Sequence, residues 1–98
     1  LDAAEATVVT QGQWLIGEMV ARGIRGIDLF RQMTKLGFDG ISPNIVTLWR
    51  KDESKIGLET LPTLLEALGM DEEERRGWVM LFTGARYPAL APYLQVTA

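Results

Sequence analysis

Glycines at positions 23, 37, 40, 57, 69 and 84 cut this chain into short lengths, and between them the apolar residues recur three or four apart. That spacing lines up one face of a helix, so it predicts a set of short amphipathic helices. Gln11–Arg22 carries Trp14, Leu15, Met19 and Val20 and stops at Gly23, a residue suited to the position just past a helix. Asp28–Leu36 repeats the pattern with Leu29, Phe30, Met33 and Leu36, bracketed by Gly26 and Gly37. Gly37-Phe38-Asp39-Gly40 then reads as a turn. Ser42-Pro43 is the clearest start signal in the chain. Serine can cap a helix, and proline fits its first position, where the missing N–H costs nothing.

A third helix follows to about Lys51, with Ile45, Val46 and Trp49 on its inner side. The charged stretch Asp52–Gly57 predicts a loop. Leu58–Leu68 predicts a fourth helix, with Leu61, Leu64, Leu65 and Leu68 on one face, Pro62 in its first turn and Gly69 at its end. Asp71–Glu74 places four acids where the dipole of a fifth helix favours them. Trp78, Val79, Leu81 and Phe82 give that helix its apolar side, and Gly84 is expected to close it. The tail 87–98 is apolar enough to pack on something. The expected fold is therefore all-α, a compact bundle of about five helices. Residues 1–10 are read as a flexible N-terminal arm, 11–70 as the principal domain, and 71–98 as a helix and tail that complete the core or meet a second copy.

Composition removes several functions. Ninety-eight residues, 47% of them hydrophobic, suit one domain with one modest core. There is no cysteine and no histidine. Disulfides, thiolate metal sites, the commonest general base and the commonest metal ligand are thereby absent. No Gly-rich phosphate loop and no nucleophile–base pair can be found. The acids at 71–74 point in different directions on a helix, so no metal or other cofactor is expected and no catalytic residue is assigned. No apolar run approaches the roughly 20 residues that span a bilayer. Leu1–Thr10 lacks the basic start and long apolar stretch of a signal peptide. The expected location is the cytoplasm. The chain opens on Leu1 rather than Met, and is read as processed, trimmed or part of a larger protein.

The net charge of −3 argues at first against a nucleic-acid partner, but its distribution matters more. Residues 1–21 hold three acids and no base. Residues 22–55 hold seven bases against four acids, and residues 56–98 hold six acids against three bases. The middle third is the basic stretch, and a phosphate-binding face should lie there.

Residues 41–70, ISPNIVTLWRKDESKIGLETLPTLLEALGM, resemble the lambda-repressor-like (Xre/Cro type) helix-turn-helix family. The matching elements are Ile41, Ser42, Val46 and Trp49, the charged loop 52–57, the run Leu58-Glu59-Thr60-Leu61, and Ala67-Leu68-Gly69. Upstream, Ala21-Arg22-Gly23-Ile24 and Leu29-Phe30 sit where the family closes its first helix and opens its second, so the likeness covers about residues 14–70. Thr34–Gly40 makes the turn about six residues longer than the family's, an enlarged turn.

The resemblance implies a helix-turn-helix whose third helix enters the major groove of double-stranded DNA. It puts Pro43, Asn44 and Thr47 at the base-reading positions. A second departure is that Arg25-Gly26-Ile27-Asp28 stands where the family often has a polar Gln or Ser as phosphate anchor, a contact for which Arg25 can substitute. The chemistry agrees: Asn can pair bidentately with adenine, and Thr can meet a base edge or a thymine methyl. Ser42, at a helix start with free N–H groups, suits a phosphate, and Arg50, Lys51 and Lys55 can neutralise others. The expected function is a sequence-specific transcriptional regulator, a repressor of bacterial or phage type. It would act as a homodimer on half-sites about 34 Å apart. Trp78, Phe82, Tyr87, Leu90, Tyr93 and Leu94 are the candidate dimer surface. The alternative is a protein-interaction module on the same fold, an adaptor or antiactivator. The acidic balance, the proline opening the third helix, Leu48 beside the reading positions and the enlarged turn favour it.

Overall fold

A computed structural model describes residues 10–39 and 42–94. The expected arm therefore lies outside the described residues except for Thr10, as do Gly40 and Ile41 of the turn. All regular structure among the described residues is helical. Six α-helices follow in order: α1 (Gln11–Arg22), α2 (Gly26–Lys35), α3 (Ile45–Arg50), α4 (Leu61–Ala67), α5 (Glu72–Arg86) and α6 (Ala91–Leu94), with a 3₁₀ turn at Pro88–Leu90 between the last two.

Four of these helices close in the same way. After α1, α2 and α4 a glycine at positive φ (Gly23, Gly37, Gly69) turns the chain. The next residue then donates its N–H back to a carbonyl in the last turn: Ile24 to Met19, Phe38 to Met33, and Met70 to Leu65. This motif satisfies carbonyls that the helix leaves free and carries an apolar residue back against it. Met70 is buried, and Ile24 and Phe38 pack on the core. α3 closes likewise, through Glu53 N–H to the Leu48 carbonyl, but its left-handed residue is Asp52, at φ 59°.

The starts of α1 and α5 are capped by side chains. Thr10 Oγ1 accepts from the Gln13 N–H (3.1 Å) while Gln13 Oε1 accepts from the Thr10 N–H (3.0 Å). Asp71 and Glu74 make the same reciprocal pair at α5. Arg22 ties α1 to the end of α4 and the start of α5. It donates to the Leu68 carbonyl (3.2 Å) and lies near Glu18 (3.3 Å) and Glu74 (3.8 Å).

The core gathers Leu15 and Met19 of α1, Leu29 and Met33 of α2, Val46 and Trp49 of α3, Ile56 of the loop, and Leu61, Leu64 and Leu65 of α4, with Leu68 and Met70. No polar side chain among the described residues is buried with them. α1 crosses α3, α2 lies on α3 and α4, and α5 packs on α4. A second cluster joins α1 to α5. The Trp14 ring centroid lies 5.2 Å from that of Trp78 and 5.0 Å from that of Phe82, the latter edge to face.

Four boundaries differ from the sequence reading. α3 begins at Ile45 rather than at Pro43, because Ser42 accepts from the Asn44 and Ile45 N–H groups and holds Pro43 and Asn44 in a turn. α2 begins at Gly26 rather than Asp28, because the Arg25 carbonyl already accepts from Leu29 (3.0 Å). α4 begins at Leu61 rather than Leu58, because the Gly57 carbonyl accepts from both Thr60 and Leu61 and holds Leu58–Thr60 in a turn. Gly84 does not close α5, which runs on to Arg86. Its role is proximity: the tail folds back so that Ala91 would lie 3.5 Å from a Cβ placed there.

Candidate nucleic-acid interface

α3 is fixed on three sides. Val46 and Trp49, one turn apart, are buried, and Phe38 packs on the Trp49 ring with centroids 6.3 Å apart. At its start Ser42 Oγ accepts from the Asn44 N–H (3.2 Å), and the Ser42 carbonyl accepts from Ile45 (3.0 Å). Ser42 thus opens a tight turn through Pro43 and Asn44, and the α-helix proper begins two residues after the proline. At its end Asp52 reaches across to α1. Its carboxylate accepts from the Gly12 N–H (2.9 Å) and from the Thr10 hydroxyl (2.7 Å). An acid there supplies acceptors that free helix N–H groups need and suits the positive end of the dipole.

The approach of these elements is close. A Cβ on Gly12 would lie 2.4 Å from the Arg50 carbonyl oxygen. Gln11 fastens the following loop: its side chain donates to the Ser54 carbonyl (3.1 Å) and accepts from the Ile56 N–H (2.8 Å) and from Arg86 (3.2 Å). The bonds from Gly12 to Asp52 and from Gln11 to Ser54 span 40 and 43 residues, and no local sequence pattern announces them.

Ser42, Pro43 and Asn44 are exposed, as is Lys51, while Thr47 and Leu48 are half-buried. The Thr47 hydroxyl accepts from Arg50 Nη2 (3.3 Å). Arg50 folds inward, so that its Nη2 would be 3.2 Å from a Cβ on Gly26, at the first turn of α2. Its Nε is buried without an acceptor. Arg25 is exposed and grips Asp28 through two hydrogen bonds, Nε to Oδ2 at 2.7 Å and Nη2 to Oδ1 at 3.1 Å. That hydrogen bonding, together with the opposite charge, raises the guanidinium further above its already high value. The bond from Arg25 holds the Asp28 carboxyl below its ordinary value.

The structure therefore groups the sequence candidates unevenly. Ser42, Pro43, Asn44 and Thr47 stand together at the start of α3, Arg50 lies between α3 and α2, and Arg25 is engaged by a carboxylate. Lys55 lies beyond the other end of α3, in a cleft shared with α1 and α5. Of the candidate dimer residues, Trp78 and Phe82 are half-buried against Trp14, whereas Tyr87, Leu90 and Tyr93 are exposed, Tyr93 to 84%. Leu94 is half-buried beside Gly84. Leu81 is also exposed, to 63%, which its place in the helical pattern alone does not single out.

No group of three or more potential metal-ligating side chains gathers among the described residues. No helix among them is long and apolar enough to cross a membrane. No protein-family model, curated protein or solved structure matches the chain.

Proposed function

We propose that this protein binds double-stranded DNA in a sequence-specific manner as a transcriptional regulator, a repressor of bacterial or phage type, and that its role is binding rather than catalysis. In this reading α2 and α3, with the long connection 36–44 as an enlarged turn, form a helix-turn-helix whose α3 enters the major groove. One observation carries the proposal: the turn leading into α3 presents Ser42, Pro43 and Asn44 outward while Val46 and Trp49 fix the helix in the core. A helix that reads bases needs such an open N-terminal approach on a rigid support. Asn44 would address a base edge, with Thr47 behind it, and Ser42 and Lys51 would contact phosphates. Arg50 contributes chiefly as a brace between α3 and α2, with its unpartnered Nε as spare donor capacity.

The exposed apolar residues Leu81, Tyr87, Leu90 and Tyr93 support a homodimer seam on the face of α5 and the tail. The same residues, with the half-buried Leu48, support the second reading, a protein-interaction module.

Fluorescence anisotropy with random and selected duplexes across a salt series tests the proposal. Asn44→Ala should lose discrimination among duplexes, while Lys51→Ala should weaken all duplexes alike and flatten the salt slope by about one. Arg50 is a poor probe, since its loss would also disturb α3. Failure of the folded protein to bind any duplex at low salt would reject DNA reading and leave the protein-partner alternative.

A further inference from the structure

Between α1, α5 and the loop 52–55 lies an open cleft of about 790 Å³, within the size range of small-molecule sites. Its apolar wall is Trp14, Trp78 and Phe82, with Leu81 beside them. Arg86 and Lys55 line the same cleft, and neither has a carboxylate within salt-bridge distance among the described residues, unlike Arg22, Arg25, Arg75 and Arg76.

The one acid lining the cleft, Asp52, is already occupied by the Gly12 N–H and the Thr10 hydroxyl. Gln11 is likewise committed through both atoms of its amide. What the lining leaves is two cations without a countercharge among the described residues, Arg86 meeting only the neutral Gln11 Oε1 (3.2 Å), and an aromatic surface. Neither water nor a neutral hydrocarbon answers both.

We propose that this cleft binds a small apolar carboxylate, an aryl-alkyl acid whose ring packs on Trp78 and Phe82. Its carboxylate is met by Arg86 and Lys55. Charge complementarity selects an acid over an amine or a neutral ring, because a carboxylate takes charge-assisted bonds that a guanidinium fork is shaped to give. The loop that forms one wall continues directly from α3, so an occupant would bear on the helix assigned to DNA reading; that consequence alone rests on the proposed function.

The test is a titration of the ¹⁵N-labelled full chain, without DNA, with 4-phenylbutyrate and separately with its neutral amide. The three indole N–H resonances are followed. Those of Trp14 and Trp78 should move with the acid while Trp49, in the core, stays in place. Arg86→Gln and Lys55→Gln should each weaken the acid about tenfold, the effect of one charge-assisted hydrogen bond, and leave the amide unchanged. Ala85→Trp, which fills the cleft from an exposed position on α5, should abolish binding in a protein whose circular dichroism shows it folded. Unmoved Trp14 and Trp78 resonances at millimolar acid would overturn the proposal. So would equal binding of acid and amide, or acid binding indifferent to both charge variants. Because no DNA is present, its failure and the failure of DNA reading are separate results.

Discussion

The joint between α1 and the end of α3 can be tested with two alanines on one helix. Gly12 and Gly17 both lie in α1, and alanine is the better helix former by about 1 kcal/mol in a helix interior. Propensity alone therefore predicts that both substitutions stabilise. The surroundings of the two differ sharply. Nothing lies within 4 Å of a Cβ on Gly17, whereas one on Gly12 would be 2.4 Å from the Arg50 carbonyl oxygen and 2.9 Å from Asp52 Oδ2.

Ordinary contact begins near 3.4 Å, so α1 must withdraw by about 1 Å. The opposing group is backbone and cannot rotate away. The same withdrawal would stretch the Gly12 N–H to Asp52 hydrogen bond from 2.9 Å to beyond useful range. Overpacking costs about 1–3 kcal/mol and a hydrogen bond to a charged group about 1.5–3 kcal/mol, the latter reduced here by partial exposure. After the propensity gain, Gly12→Ala should destabilise by about 2–4 kcal/mol, and Gly17→Ala should stabilise by up to about 1 kcal/mol. Urea unfolding followed by tryptophan fluorescence reads both. With a slope of about 1–3 kcal/mol per molar, the two midpoints should separate on opposite sides of the wild type. Gly12→Ala as stable as the wild type would refute the close packing of α1 on the α3 terminus.

Asp52 offers a related measurement. Asp52→Gly relieves a left-handed backbone but removes the acceptor for Gly12 and Thr10, and should destabilise by about 1–2 kcal/mol, whereas Asp52→Asn should stay within about 1 kcal/mol of the wild type in the same urea assay. Asp28 should titrate below the ordinary aspartate value of about 3.9, and Arg25→Gln should return it towards that value in a carboxyl ¹³C NMR titration. The sign follows from linkage: the folded value is the lower one. The stability from this pair is therefore complete above the unfolded value and is lost as pH falls through the folded one.

Much of the fold could be read locally. Gly23 and Gly69 end helices because only the residue just past a helix needs the left-handed conformation, and a glycine after an apolar-periodic run signals that need directly. Val46 and Trp49 are buried because three-residue spacing puts them on one face, and Asp71–Glu74 caps α5 because the reciprocal pair lies within four residues. Gly84 misled because glycine has two uses, a turn and a close approach, and sequence does not distinguish them; here the tail lies against it. Leu58 misled because its apolar character fits equally a helix start or the turn that Gly57 closes.

The candidate site was less legible, and for a different reason. Asn44 is exposed in the turn that Ser42-Pro43 opens, a local signal that sequence carries. Arg50 stands in a basic run that suits phosphates, and spacing does not show that its guanidinium lies against Gly26, a contact set by how α2 meets α3. Asp52 was read as a loop charge, yet it caps a helix that begins 41 residues earlier.

These two residues are neighbours of one joint, and the joint explains an otherwise unfavourable choice. Among the described residues α1, α2 and α4 turn on glycine, whereas α3 turns on an aspartate held at φ 59°. Left-handed backbone costs a non-glycine residue about 1–2 kcal/mol. The compensation is two hydrogen bonds to the start of α1, so the residue that ends α3 also fixes where α1 begins. A glycine at 52 would end α3 equally well but leave its distance from α1 unspecified. Gly12 makes the converse choice, giving up helix propensity to let the two backbones meet. Each departure from local preference thus lies on one side of the same contact, the contact that holds α3 against the body of the protein.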